Sequence, residues 1–181
     1  MHRVIVVTGT PGTGKTALAA GLGRAIRGST VIDANAIVKS EGLFSGYDEY
    51  GTMIADLDKL AKRINSLASK TRGTVIIEGH LMCDIRVRGA AAIVLRCHIK
   101  ELEGRLGKRG YEGSKLHDNL VSEALDYCGA RASANYKRVF EIIGSRKKML
   151  SDAMAIIKGR SKGQRIELSE ELLDIMDRVA K

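Results

Sequence analysis

The sequence predicts an α/β fold, with five strands and helices between them. Three observations carry it. Short apolar runs of the buried-strand kind recur along the chain, beginning with Val4-Ile5-Val6-Val7. Between them lie stretches with apolar residues three and four apart, as crossover helices require. The first run leads straight into Gly9-Thr-Pro-Gly-Thr-Gly-Lys-Thr16, a complete G-x-x-x-x-G-K-[ST] sequence set between a strand and a helix.

Taken in order, the first strand covers Arg3 to Thr8, and a helix runs from Lys15 to about Arg27, its Leu18, Leu22 and Ile26 on one face. Thr30 to Ile32 is a short strand ending at Asp33, which places a carboxylate at a carboxyl strand end, where open α/β sheets bind ligands. Residues 34–40 read as a short helix, and Glu41 to Thr52 as an exposed connection. Met53 to Thr71 carries Ile54, Leu57, Leu60, Ala61, Ile64 and Leu67 at helical spacing and reads as one amphipathic helix. Thr74 to Ile77 is the next strand and delivers Glu78-Gly79-His80; Ala91 to Leu95 is another, followed by Arg96. Glu101 to Lys108 is helical, Gly110 breaks it, and Ser114 to about Arg138 reads as a long helix. Val139 to Ile143 supplies the fifth strand, and a helix follows from about Ser145 to Lys158. After the basic loop Lys158 to Arg165, Ser169 to Asp177 reads as a capped helix with Leu172, Leu173, Ile175 and Met176 in a stripe.

A chain of 181 residues fills one α/β core and buries roughly two thirds of its unfolded surface. Its one proline, Pro11, lies inside the glycine-rich loop, so no proline-rich linker divides it, and residues 1–181 read as a single domain. The formal charge of +9 suits an anionic partner such as nucleotide, RNA or a ribosomal assembly, and equally a plain basic surface. With two Phe, five Tyr and no Trp, a base-stacking surface is not suggested. Cys83, Cys97 and Cys128 form no C-x-x-C pair, which fits a reduced, cytoplasmic setting. No 18-residue apolar segment or secretory signal is legible, so no membrane partner is expected.

The loop's spelling follows from its chemistry. Gly9, Gly12 and Gly14 let the backbone wrap phosphate oxygens, with Pro11 and Thr13 between them; the amides and the following helix N-terminus supply donors. Lys15 reaches the β and γ phosphates of a nucleoside triphosphate, and Thr16 places its hydroxyl on magnesium. No N-K-x-D guanine-selecting sequence follows a strand. Arg105 and Arg109 stand one helical turn apart with Lys108 beside them, so both guanidinium groups can address a phosphate chain, or simply decorate a helix end. His80 can orient water, face phosphate as a cation, or fix the strand-loop junction.

Gly9 to Thr16, Glu41-Gly-Leu-Phe-Ser-Gly-Tyr-Asp-Glu49, Glu78-Gly-His-Leu81, Val94-Leu-Arg-Cys97 and Lys108-Arg-Gly-Tyr-x-x-x-Lys115-Leu-x-x-Asn119 together resemble the archaeal relatives of the nuclear, coilin-interacting adenylate kinase family, over about residues 1–143. The resemblance implies a P-loop nucleoside monophosphate kinase fold, a five-stranded parallel sheet flanked by helices, with an AMP-binding arm at about 34–72 and a short lid at about 105–117. It implies adenylate kinase activity with ATP and Mg²⁺, accompanied by ATPase activity linked to small ribosomal subunit maturation. Implied partners are AMP, a small-subunit platform ribosomal protein and precursor rRNA or the preribosome. Other readings are an assembly switch with incidental kinase activity, and a nucleotide kinase with another acceptor.

Carried onto this chain, Lys15, His80, Arg105 and Arg109 are the catalytic candidates, with Gly9 to Thr16, Arg109 and Lys147 on ATP. Lys147 belongs to a turn at Gly144–Lys147, which departs from the Asp-Thr-Ser-Gly-Lys pattern of related members. Asp33, Asn35, Lys39, Gly46, Tyr47 and Arg96 are the AMP candidates. Thr16, Asp33 and Glu78 are the metal candidates, and family members often carry aspartate at the position of Glu78.

Overall fold

The computed structural model describes residues 3–144, 148–163, 166–168 and 170–171. Five strands, β1 (Val4–Thr8), β2 (Thr30–Asp33), β5 (Val75–Glu78), β6 (Ala90–Arg96) and β7 (Val139–Ile143), form a parallel sheet in the order β2-β5-β1-β6-β7. Val4 lies opposite Val75 on one side and Ala90 on the other, so β1 is the central strand. Every residue of β1 and β5 is buried, which explains the unbroken apolar runs: both faces of a parallel sheet are covered.

Alternate residues of β1 serve two cores. Ile5 and Val7 pack with Leu18 and Leu22 of α1 (Lys15–Ala25) and Ile156 of α7 (Met149–Ile157). Val4 and Val6 pack with Leu60 and Ile64 of α3 (Leu57–Lys70) and Ala132 of α6 (Tyr127–Asn135). Helix α4 (Ile99–Gly107) and α5 (Gly113–Ala124) build a smaller cluster from Leu102, Leu106, Leu120 and Ala124. Glu171 docks there: its carboxylate accepts the Ile99 N–H at 2.6 Å, where the positive end of α4 favours an anion.

Two helix boundaries depart from the sequence reading. Met53 to Thr71 is not one helix, because β4 (Met53–Ala55) pairs antiparallel with β3 (Phe44–Tyr47) and helix α3 begins only after Asp56. Asp48 closes that hairpin by accepting the N–H groups of Tyr50 and Thr52 at 2.9 and 2.7 Å, and Asp56 caps α3 by accepting the Lys59 N–H at 3.0 Å. Residues 41–52 are therefore partly strand. The long helix expected from Ser114 is two helices, broken at Asp126, whose φ is 55°; its carboxylate caps α6 at the Gly129 N–H and pairs with Arg96 at 2.7 Å. The helix expected from Ser145 begins at Met149, residues 145–147 lying outside the described residues. The stripe at 172–176 also lies outside them.

Candidate active site at the carboxyl ends of the strands

Parallel strands gather their carboxyl ends along one edge, and central β1 delivers the glycine-rich loop to its middle. The loop's three key glycines, Gly9, Gly12 and Gly14, have φ of 137°, 91° and 105°, a region that side chains with a Cβ rarely enter. At Gly9 a Cβ would stand 2.4 Å from the Leu95 carbonyl oxygen on neighbouring β6. Backbone strain of this kind costs about 1–3 kcal/mol before any clash is counted. Gly9→Ala is therefore expected to lower the melting temperature and to weaken ATP binding together, as calorimetry and a nucleotide titration would show. A variant with normal affinity would mean that the loop does not need this close approach.

Inside the loop, Thr13 donates its hydroxyl to the Thr10 carbonyl at 2.9 Å. Lys15 turns inward and donates from Nζ to the same carbonyl at 3.0 Å, with only 8% of the residue exposed. Burial pulls its pKa below the ordinary lysine value, and the neighbouring Cys128 and Glu78 oppose that shift. Its ammonium is thus held at the loop centre, against an acceptor that a phosphate oxygen can replace.

Thr16 begins α1 and Glu78 ends β5, and the Thr16 hydroxyl donates to Glu78 Oε1 at 2.8 Å. Burial raises the Glu78 pKa, and Asp33, its register partner across β2 and β5, pushes the same way; the Thr16 hydrogen bond and Lys15 oppose them. Asp33 Oδ1 accepts the N–H groups of Asn35 and Ala36 at 2.9 and 3.1 Å, so it caps α2 (Ala34–Ser40) as well as facing Glu78. The chain brings all three metal candidates together. Hydroxyl and carboxylate oxygens suit Mg²⁺, which keeps several waters and takes substrate phosphates as ligands. Among the described residues no group of three or more His, Cys, Asp or Glu could hold a metal, so an ion here would draw on phosphate oxygens as well.

His80 opens a 3-10 turn, His80–Cys83, directly behind β5. Burial, aided by the charge of Lys15, lowers its pKa to about 4 while Asp84 opposes the shift, so the imidazole is neutral at pH 7. A neutral ring suits the water-orienting and junction-fixing roles left open by the sequence; the cationic role would need a bound phosphate to raise that pKa. Its backbone carbonyl accepts the Thr8 hydroxyl at 3.1 Å, which ties the turn to the end of β1.

Two cavities flank the loop. One, of about 660 Å³, is lined by Gly12, Gly14, Lys15, Thr16, Arg105, Lys108, Arg109 and Met149 among others. Arg105 and Arg109 do converge there, yet differently. Arg109 is exposed, whereas Arg105 donates to the Gly12, Thr13 and Gly144 carbonyls at 3.3 to 3.5 Å and pairs with Glu101. It braces the loop from behind. Lys147 lies outside the described residues.

The second cavity, about 340 Å³, lies on the Pro11 side and is lined by Thr10, His80, Asp84, Lys115, Asp118 and residues of the hairpin turn. The hairpin reaches across its mouth: Tyr50 donates to Asp118 at 3.1 Å and Lys115 to Thr52 at 3.2 Å. Tyr50, Thr52, Asp84 and Asp118 are site residues that sequence reasoning missed. The signal was Asp48 and Gly51, a turn pair that fixes a hairpin tip. Asp33, Asn35, Lys39, Gly46 and Tyr47 do not line this cavity. Asn35 and Lys39 stand exposed on α2, Gly46 lies in β3, and Tyr47, 64% exposed, tilts against Phe44 with ring centres 5.6 Å apart.

Arg96 corrects the expectation of an AMP contact. It is 1% exposed and pairs with Glu123 at 3.0 Å, Asp126 at 2.7 Å and Glu141 at 3.6 Å. It also donates to the carbonyls of Glu123 and Ile166. Each of its three nitrogens is engaged by a carboxylate or carbonyl inside the fold, and at 1% exposure the guanidinium does not reach a substrate phosphate.

The AAA domain family matches residues 5–126. The chain is 33% identical to a protein described as "Putative adenylate kinase" from Methanosarcina mazei, with 96% of each chain covered. A protein of the same description from Methanosarcina barkeri is 38% identical over 77% of this chain and 75% of its own length. Shikimate kinase from Bacteroides thetaiotaomicron superposes with a TM-score of 0.60 at 18% identity, covering 86% of this chain and 98% of its own. A gluconokinase from Sinorhizobium meliloti does so with 0.58 at 17%, covering 87% and 93%. At these identities the two structures speak for the P-loop kinase fold. With a nucleotide-binding loop, a hydroxyl-carboxylate pair beside it and relatives matched along most of their length, this chain belongs to the archaeal family of P-loop proteins described as putative adenylate kinases, within the AAA domain family.

Proposed function

We propose that the chain is an adenylate kinase, an ATP:AMP phosphotransferase that converts ATP and AMP to two ADP. The observation that carries this reading is the loop's position between two cavities, one lined by Lys15, Arg105 and Arg109 and the other by Lys115, His80 and the hairpin turn. A donor and an acceptor on opposite sides of one loop can meet in line, and alignment with charge neutralisation is most of what phosphoryl transfer needs. ATP occupies the larger cavity, its phosphates on the loop amides. Lys15 exchanges its Thr10 contact for the β and γ phosphates, and Arg109 faces the charge that develops on transfer. Arg105 acts through the loop it braces. Thr16 and Glu78 would hold Mg²⁺, with Asp33 behind Glu78, and the bound ion would supply charge to offset that of the phosphates. AMP needs no protein base, because its phosphate is already anionic, so a neutral His80 serves as a hydrogen-bonding group. Residues 34–72 form the AMP arm, on which Asn35, Lys39, Gly46 and Tyr47 remain acceptor candidates, and 105–117 the lid.

A second reading has its own support. The link between α4 and α5 spans only residues 108–112, a short cover for a large cavity, and incomplete exclusion of water favours ATP hydrolysis. With the resemblance to the coilin-interacting kinases, this supports an ATPase working with a platform ribosomal protein and precursor rRNA in the cytoplasm. For the described residues, no helix is long and apolar enough to cross a membrane. Initial rates of ADP and phosphate release, with and without AMP, with CMP or UMP, and with the matching ribosomal protein, separate the readings. ADP formation dependent on AMP and free of phosphate release is the expected result. Phosphate release stimulated only by the protein partner would put the assembly ATPase first, and turnover with CMP or UMP alone would change the acceptor.

A further inference from the structure

The opposite edge of the sheet has a charge pattern that the nucleotide chemistry does not use. Residues 1–32, 59–77, 85–100 and 127–140 contain no Asp or Glu, and these stretches include every approach to the amino ends of the five strands. Each approach carries a cation: Arg3 before β1, Arg27 before β2, Arg72 before β5, Arg88 before β6 and Lys137 before β7. All five are exposed. The carboxylates of the active site, Asp33, Glu78 and Asp84, sit near the other edge.

On this basic edge the chain forms a groove of about 1010 Å³ between α3 and the loop leading into β6. Arg3, Lys62, Arg86 and Arg88 line it together with Ser66 and Ser69, and no carboxylate or aromatic side chain does. Asn65 fixes one wall by donating to the Arg86 carbonyl at 2.9 Å and accepting the Arg88 N–H at 2.9 Å. Among the described residues no ion pair includes Arg3, Lys62, Arg86 or Arg88.

We propose that this groove binds the phosphate backbone of base-paired RNA. Clustered cations on one face of a basic domain are the electrostatic footprint of a nucleic-acid site. The absence of aromatic rings argues against unpaired bases, which need stacking platforms. The Ser66 hydroxyl can donate to or accept from the 2′-hydroxyl that separates RNA from DNA, and the Ser69 hydroxyl, whose proton goes to the Ser66 carbonyl at 2.9 Å, can accept from it. Recognition is by shape and charge, without base readout. The proposal is independent of the acceptor specificity of the kinase site, and it places RNA on a different surface from the Lys158–Arg165 loop that the sequence suggests, whose described part runs beside β7.

The test uses the whole chain and a fluorescent RNA duplex of about 20 base pairs, longer than the ~16 spanned by a double-stranded-RNA module. Anisotropy is read between about 50 and 200 mM salt. Arg86→Gln with Arg88→Gln is expected to weaken binding at least about tenfold and to make the plot of log K against log salt shallower by about 2, one for each lost phosphate contact. ATP binding and the melting temperature should not move. Should the double variant misfold, the single exposed Lys62→Gln is expected to lower the salt slope by about 1. Unchanged RNA affinity in folded variants overturns the proposal. So does equal affinity for the matching DNA duplex, displacement of RNA by polyglutamate at equal charge concentration, which would indicate an acidic protein partner, or loss confined to variants of Lys158, Arg160 and Lys162.

Discussion

Lys15→Met is expected to cut phosphoryl transfer by about 10²–10³-fold, the scale on which one fixed transition-state donor acts, while leaving the fold as stable as before or more so. Two facts set this unusual combination. The ammonium lies inside the loop, and among the described residues its one hydrogen bond is to the Thr10 carbonyl at 3.0 Å. Burial lowers its pKa, which means that the folded chain holds the charge at a cost in desolvation. A methionine of similar reach removes the charge and that cost together. Single-turnover rates at saturating ATP, beside thermal unfolding, would check both halves. A fall in melting temperature of several degrees would mean that Lys15 is a structural strut and that the kinetic loss follows from a disordered loop.

The second large effect concerns stability. Arg96→Leu is expected to cost about 3–5 kcal/mol, because removing one partner of a buried network leaves an uncompensated charge. Glu123, 1% exposed, loses its Arg96 partner and, among the described residues, keeps the Cys97 N–H at 2.9 Å. For a domain of this length the loss corresponds to a fall in melting temperature of roughly 6–20 °C. Replacing both partners, as Arg96→Leu with Glu123→Leu, should recover part of it, since apolar pairs often match buried ion pairs. Denaturant unfolding of the single and double variants decides the matter. A single variant within about 0.5 kcal/mol of the parent would show that water or neighbouring groups solvate the pair.

The same residues explain how much of the molecule is legible in its sequence. Buried parallel strands write themselves as apolar runs, and the loop behind β1 needs glycine at fixed places, so the sheet and the site of phosphate binding are local properties of the chain. The hairpin at Phe44–Ala55 is not, since Ile54 fits a helical period as well as a strand edge and only the turn chemistry of Asp48 and Gly51 separates the two. Nor is the break at Asp126. A left-handed aspartate is costly on its own and is held there by Arg96, 30 positions away by subtraction of their numbers. Arg96 itself, following an apolar strand at the carboxyl edge, has the sequence setting of a ligand-binding cation. Only the convergence of Glu123, Asp126 and Glu141 from two other elements and a turn gives it a structural role.

The position of β1 also bears on synthesis. The central strand is made before both of its neighbours, Val75–Glu78 and Ala90–Arg96, which lie some 70 to 90 residues further along. At about 5–20 residues per second, a ribosome takes on the order of ten seconds to supply them. Throughout that delay Val4–Thr8 is an apolar strand with two unpaired edges, the kind of segment that seeks any partner. Residues 1–32 around that strand carry positive charges and no negative ones, so copies of this segment repel one another during that interval. That charge favours anionic surfaces over a second copy of the segment until the sheet can close around it.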